Sequence, residues 1–377
     1  MKRVISLICA VALLLCSTAC APRETYEATV TELGIPLKDV YPQGGMERCV
    51  WDVEFYKDAL YVGSGDYDRN RGPVYMTHYD FEAAEWEIDD VLNDEQVERF
   101  YIFDDVLYAA GYDSRGSWDF GNYFTCRETG DWETHNTLPN GVHNFDMIKF
   151  NGKLFAGLGV EEGESPVVVS TDEETWEQVP LLKDGKPRET HGGTFIRVYD
   201  FFTLNNTLYA YFSLSSDVET AREIYRYDGE NFVYHSIMTR SFKFKRFKYG
   251  HFSHKSEFKG HQYLGASYLY RTADMTTGEL IDLGENVEVN DSRVIGKALY
   301  LLCDEKITHD DGSEEFRISV KKSKNGTDFT ELFYFRYPVR ALSFTYNKGT
   351  FYFGMGYGSG TDKYFNENGM VLSVDYQ

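Results

Sequence analysis

An apolar residue, a short polar turn and a second apolar pair recur seven times along the chain. The copies are Tyr56–Tyr61, Phe103–Tyr108, Phe150–Phe155, Leu204–Tyr209, Phe258–Tyr263, Ile295–Tyr300 and Tyr346–Phe351. The flanking runs read at period two, as extended strands do. Turn residues suited to positive φ stand between them, at Asn151-Gly152, Asn205-Asn206 and Asn347-Lys348-Gly349. Each copy therefore predicts a hairpin. A third extended run follows after a loop, such as Pro166–Ser170 or Glu223–Tyr227. Then come an Asp/Gly turn and an aromatic residue that opens a fourth strand: Trp86, Trp132, Trp176, Phe232 or Phe329. Successive copies are separated by 47, 47, 54, 54, 37 and 51 residues, the spacing of propeller blades. The pattern predicts an all-β chain folded as a seven-bladed β-propeller of four-stranded antiparallel blades. Six blades are the alternative if the short 37-residue step hides a miscount. The last copy ends on Met370–Asp375 as its third strand, so Tyr26–Leu33 is the candidate fourth strand that closes the ring and removes an exposed edge.

The N-terminus departs from this pattern. Lys2 and Arg3 precede the apolar run Val4–Leu15 and then Ser17-Thr18-Ala19-Cys20. The layout resembles a bacterial lipoprotein signal, with Ser17 where that motif usually has Leu. The resemblance implies that residues 1–19 are removed, that Cys20 carries lipid, that residues 20–25 form a tether and that 26–377 is a single propeller domain. The protein would then be exported and lipid-anchored to the bacterial cell membrane on its extracytoplasmic face. The apolar run is shorter than the ~20 residues needed to span a bilayer.

Composition narrows the partners. The formal charge of −22 becomes −24 when Lys2 and Arg3 leave with the signal, a surface that repels nucleic acid and anionic lipid. Beyond the signal only Cys49, Cys126 and Cys303 remain, too few and too far apart for a disulfide-dependent fold. Zinc-type Cys/His spacings are absent, and no cofactor is expected.

Two third-turn segments, Ser170-Thr171-Asp172-Glu173-Glu174-Thr175-Trp176 and Ser323-Lys324-Asn325-Gly326-Thr327-Asp328-Phe329, resemble degenerate Asp boxes of the sialidase-like propellers, each one residue short. In that superfamily the box caps a turn and packs an aromatic residue, so the resemblance bears on fold and not on activity.

Candidate chemistry lies on the loops of one face: Ser64–Pro73, Tyr112–Asn122, Val160–Pro166, Ser213–Arg222, Asp304–Phe316 and Met355–Gly369. They carry Trp118, Tyr67, Tyr112, Tyr357 and Tyr364, suited to the apolar face of a sugar or else to packing their own loops. Aligning the hairpins puts His143, Arg197 and His251 at one position, 54 residues apart, with Arg340 one residue out of register. If they converge on the channel, they could bind a carboxylate or sulfate, and with Tyr199 they could move a proton. The plainer reading is that they satisfy backbone groups between blades. A second aligned set, Asp52, Arg99, Asp146, Asp200, His254, Asp291 and Leu342, suggests either a cation ring or ion pairing between blades, with pairing preferred. The basic, Phe-rich segment Arg240–His261 reads equally as a half-buried strand or as a wall beside Arg197 and His251 that attracts an anionic glycan or an acidic partner. Gly354–Gly360 lacks the spacing of a dinucleotide loop, the calcium-like start at Asp66 has Arg71 where glycine is required and no closing Glu, and no Gly-x-Ser-x-Gly elbow exists. The Arg-Ile-Pro segment of sialic-acid-cleaving propellers is missing too, since Arg317-Ile318 is followed by Ser319.

These features lead to a lipid-anchored extracytoplasmic propeller that binds an extracellular ligand, foremost a glycan, through its loop face. The alternatives are a lyase or glycoside hydrolase acting on an acidic polysaccharide through His143, Tyr199, Arg197 and His251, and a scaffold for an envelope protein.

Overall fold

The computed structural model describes residues 25–69, 71–117, 119–161, 163–188, 196–215, 220–237, 252–358 and 364–376. Apart from single 3-10 turns at Met46–Arg48 and Tyr67–Arg69, all regular structure among them is β. The chain is a β-propeller. The described strands form six hydrogen-bonded sheets. Three are antiparallel four-stranded sheets built from consecutive strands within 52–92, 100–139 and 254–281. A fourth spans 340–375 and a fifth 288–337. The sixth is ten-stranded and holds two successive four-strand runs, 143–178 and 196–237, plus a hairpin at Leu181–Pro187. The two runs merge because Gly159 and Val160 at the end of one second strand pair with Arg197 and Ile196 at the start of the next innermost strand. Six sheets therefore stand where the repeat predicts seven blades.

The N-terminal segment joins the last two sheets. Thr31–Gly34 pairs antiparallel with Val371–Asp375, and Tyr26–Glu27 adds a short parallel strand to Thr330–Tyr337. Trp86 fixes the same segment from the first sheet, its indole N–H donating to the Leu33 carbonyl at 2.9 Å.

Burial follows position within a sheet. Second strands such as Ala59–Gly63 and Val106–Ala110 are buried at every residue because neighbouring sheets cover both faces, so they read as continuous apolar runs. Outer strands such as Glu85–Leu92 are largely exposed. Aromatic side chains fill the space between the two four-strand runs of the ten-stranded sheet: Phe155 meets Phe232 at 6.0 Å and Phe201 at 6.4 Å between ring centroids. Each such ring contributes about 1.5–3 kcal/mol by burial. Gly157 lets the two runs approach, since a Cβ there would lie 2.8 Å from the Val198 carbonyl oxygen.

Five third-turns share one device. Asp80, Asp172, Asp228, Asp274 and Asn325 each accept the backbone N–H groups two and three residues on. The box-like sequences at Asp172 and Asn325 thus mark turns of this kind, and the one at Asp274 uses it without an aromatic at the box position. Cys49, Cys126 and Cys303 are buried thiols.

Candidate functional site

The innermost strands carry a repeated irregularity. Register shifts leave Phe145, Tyr199, Asn290 and Leu342 as the extra residues of β-bulges in four of them. A bulge re-aims the side chains after it. In three of the four the next residue is Asp146, Asp200 or Asp291. Each of these carboxylates accepts a backbone N–H from the following innermost strand or the residues leading into it: Asp146 from Phe201 at 2.6 Å, Asp200 from Phe252 at 3.1 Å and Asp291 from Phe344 at 3.2 Å. Asp52 treats Phe100 the same way at 2.8 Å. The aligned carboxylates are therefore staples between neighbouring strands, and their remaining lone pairs face cations.

Two ionic knots result. In the first, Arg99 Nη1 lies 2.7 Å from Asp200 Oδ1, Lys255 Nζ contacts Asp146 and is 3.4 Å from Asp200, and the Tyr101 hydroxyl donates to Asp146 at 2.7 Å. In the second, Arg293 Nη2 is 2.7 Å from Asp52 Oδ1, its Nη1 contacts Glu54, its Nε is 3.4 Å from Asp291, and Nη2 also donates to the Val53 carbonyl at 3.0 Å. Among the described residues no group of three or more His, Cys, Asp or Glu is arranged to hold a metal ion.

Between the knots lies a cavity of about 580 Å³. Its walls include Trp51, Tyr67, Tyr101 and Tyr357, the carboxylates Asp52, Glu54, Glu98 and Asp291, and the cations Arg99, Lys255, Arg293 and Arg340. Burial pushes His254, on the same wall, down to about 3, so it is neutral. Burial also raises Asp52 to about 7, even against the pull of Arg293, with Glu54 and Asp291 adding to the rise. The volume falls within the roughly 300–1,000 Å³ range of small-ligand sites.

The sequence candidates divide into two groups. Arg340 and Tyr357 line the cavity, but both are engaged. Arg340 grips Asp304 through Nε at 2.9 Å and Nη2 at 3.0 Å and also contacts Glu288. Tyr357 donates to Glu314 at 3.1 Å and stacks on Phe365 at 4.7 Å. His143, Arg197 and Tyr199 form a separate cluster that does not line the cavity. His143 Nδ1 is 2.9 Å from Asp113 Oδ1, its ring stacks on Phe145 at 5.0 Å, and Phe145 meets Tyr199 at 4.5 Å. Burial raises the Tyr199 phenol, while the positive charge of Arg197 and a hydrogen bond with it hold the rise back. His143, Arg197 and Arg340 thus do not converge on one point. Cys20, Trp118 and His251 lie outside the described residues, as does most of the basic segment.

Several groups central to the cavity escape the sequence reading. Arg293, Glu54 and Glu98 sit off the two aligned positions, and Lys255 enters it only as part of the basic segment. Phe145 and Tyr199 continue an aromatic chain toward the cavity wall, with Tyr112 meeting Phe145 at 5.0 Å and Tyr67 meeting Tyr112 at 5.2 Å. Period-two alternation at the start of each innermost strand is the signal available, but the bulges break it.

No family model matches the sequence, and no curated protein matches it. Solved structures do. Virginiamycin B lyase from Staphylococcus aureus is similar with a TM-score of 0.53 and 9% identity, covering 93% of this chain and 100% of its own. An ulvan lyase, a polysaccharide lyase, is similar with a TM-score of 0.52 and 11% identity, over 88% of this chain and 94% of its own. A chain of a mitotic checkpoint complex reaches 0.51 with 9% identity, over 96% and 95%. Such distant likenesses with such different functions speak for architecture alone, and the architecture they share with this chain is the β-propeller.

Proposed function

We propose that this chain is a lipid-anchored, extracytoplasmic, seven-bladed propeller that binds an extracellular glycan in the cavity at its channel. One observation carries the reading: the cavity of about 580 Å³ sets Trp51, Tyr67, Tyr101 and Tyr357 beside a dense set of hydrogen-bonding groups. A pyranose offers the complementary surface, an apolar face with a rim of hydroxyls. The blade count rests on the ten-stranded sheet containing two complete four-strand runs. Kinship with the Asp-box propellers belongs to the same proposal, supported by the five side-chain-capped turns. The anchor at Cys20, the extracytoplasmic location and the absence of a nucleic-acid partner follow from the N-terminal sequence and the acidic composition. No cofactor is invoked.

A second reading, an enzyme acting on an acidic polysaccharide, has its own observation. His143 lies 2.9 Å from Asp113, which can orient the imidazole, and the Arg197–Tyr199 pair stands in the same cluster. A polysaccharide lyase is among the proteins of this architecture, which is support at the level of fold only.

The test is to incubate the purified protein with neutral, amino and uronic-acid oligosaccharides, following heat of binding and absorbance in the unsaturated-uronate band. Binding without new absorbance supports the binding protein. Growing absorbance that His143→Ala abolishes would replace it with a lyase. Silence in both channels refutes both readings and leaves a protein partner.

A further inference from the structure

The charges around the cavity are unequal once the groups directly behind its walls are included. Arg99 and Lys255 are met by Asp146 and Asp200, Arg340 by Asp304 and Glu288, and Arg293 by Asp52, Glu54 and Asp291. Every cation on the wall is thus already held by at least one carboxylate. With Glu98 added, eight carboxylates face four cations among the described residues. An anion entering here would find guanidinium groups with their forks occupied and a surplus of negative charge around them.

Glu98 is the exception among the wall's ionic groups. It lies immediately before Arg99, at the start of the Phe100–Phe103 strand, half-buried. It has no hydrogen bond or ion pair among the described residues, although it lines the same cavity as Trp51, Tyr67 and Tyr101. It stands close enough to the aromatic chain that, after burial, its charge is the next largest influence raising the phenols of Tyr67 and Tyr112. A second atom on the wall also lacks a partner: Ser343 Oγ, on a side chain that is only 3% exposed, has no hydrogen bond among the described residues. An unpaired carboxylate beside aromatic faces is the arrangement that attracts an ammonium group, through a charge-assisted hydrogen bond and cation–π attraction together.

We infer that the cavity takes its glycan through a positively charged amino sugar, whose ammonium group sits between Glu98 and the faces of Tyr67 and Trp51. This rests on the glycan reading and narrows it, since it excludes acidic polysaccharides as the preferred ligand. Saturation of the four cations removes what a uronate would need, and the surplus of carboxylates supplies what an amine needs. Surface charge acts in the same direction, because the chain carries a net −22 and draws cations toward it.

The experiment compares oligomers of glucosamine, of N-acetylglucosamine and of galacturonic acid, of equal length, by calorimetry on the intact protein and on Glu98→Gln. The pH is kept low enough for the amine to stay charged, and circular dichroism checks the fold of the variant. An oligolysine serves as a cationic control without a sugar. The expected result is that the glucosamine oligomer binds, that binding weakens with salt, and that Glu98→Gln weakens it by about tenfold or more. Should the folded Glu98→Gln protein be unobtainable, Tyr67→Ala replaces it, with the same loss expected. Equal binding of the acetylated oligomer would overturn the amine inference and leave the glycan reading standing. Preference for the galacturonate oligomer would overturn it in favour of an anionic ligand. Oligolysine binding as tightly as the sugar would overturn it in favour of a basic protein partner, and no sugar binding would sink the glycan reading itself.

Discussion

Replacing Arg293 with methionine removes the guanidinium that Asp52, Glu54 and Asp291 share. The partners come from two innermost strands, Asp52 and Glu54 from Asp52–Tyr56 and Asp291 from Glu288–Ile295, so the contact ties one strand to another across 239 and 241 residues of chain. With contacts at 2.7 Å and 3.4 Å, each charge pair is worth on the order of 4 kcal/mol or more at an effective dielectric of 20, before desolvation is subtracted. Breaking a buried pair from one side costs about 3–5 kcal/mol, because the carboxylates left behind remain buried. That corresponds to a fall in Tm on the order of 4–7 °C for a domain of about 350 residues. The loss also has a pH signature. Burial holds Asp52 up to about 7 even with Arg293 present, above its ordinary carboxylate value. The folded state therefore keeps a proton that the unfolded chain releases, and stability from this group falls as pH rises from about 4 to 7. Without Arg293 the rise in Asp52 is larger, so the deficit of the variant is greatest near pH 8 and shrinks by about pH 5. Urea unfolding of wild type and Arg293→Met at both pH values measures this. A deficit under about 1 kcal/mol, or one that is the same at both pH values, would refute the reasoning.

Other perturbations follow from the same contacts. Asp146→Ala leaves Lys255 and the Tyr101 hydroxyl facing an empty site and frees the Phe201 N–H, so urea titration is expected to show a loss of about 3–5 kcal/mol, with Asp146→Asn losing less. Gly265→Ala drives a Cβ into the Tyr268 carbonyl oxygen and to 3.0 Å from the His254 ring, so the variant is expected to express poorly or to unfold at lower temperature by scanning calorimetry. Deleting residues 25–34 strips the partner from Val371–Asp375 and leaves it an edge strand, so light scattering is expected to report aggregation that the intact chain does not show.

The hairpins were legible because their turns need positive φ and the chain supplies Asn and Gly there, as Asn151, Asn205 and Gly152 show. The aligned acids were legible as a ring, and their pairing between strands was the reading preferred from sequence. Their hydrogen bonds to the next strand were not, because the donor is a backbone N–H that no residue type announces. Arg293 was invisible for a different reason. Its partners Asp52 and Glu54 lie 241 and 239 residues away, so only closure of the ring brings them together. His143 and Arg197 share an aligned position and do meet in one cluster, but Arg340, one residue out of register, lines the cavity apart from them; local acids and rings hold each side chain, Asp113 for His143, Tyr199 for Arg197 and Asp304 for Arg340. The merging of two four-strand runs into one sheet was equally hidden, since it depends on two residue pairs, Gly159 with Arg197 and Val160 with Ile196.

The measurement that bears most directly on the central claim is calorimetric titration of wild type and Leu342→Trp with the tightest-binding oligosaccharide of the panel. Leu342 is a half-buried bulge residue on the cavity wall, so an indole there occupies the space without removing a charged group. The account predicts that wild type binds and that Leu342→Trp, folded and equally stable, loses the heat of binding. Unchanged binding by the blocked variant would contradict it and move the ligand elsewhere on the propeller.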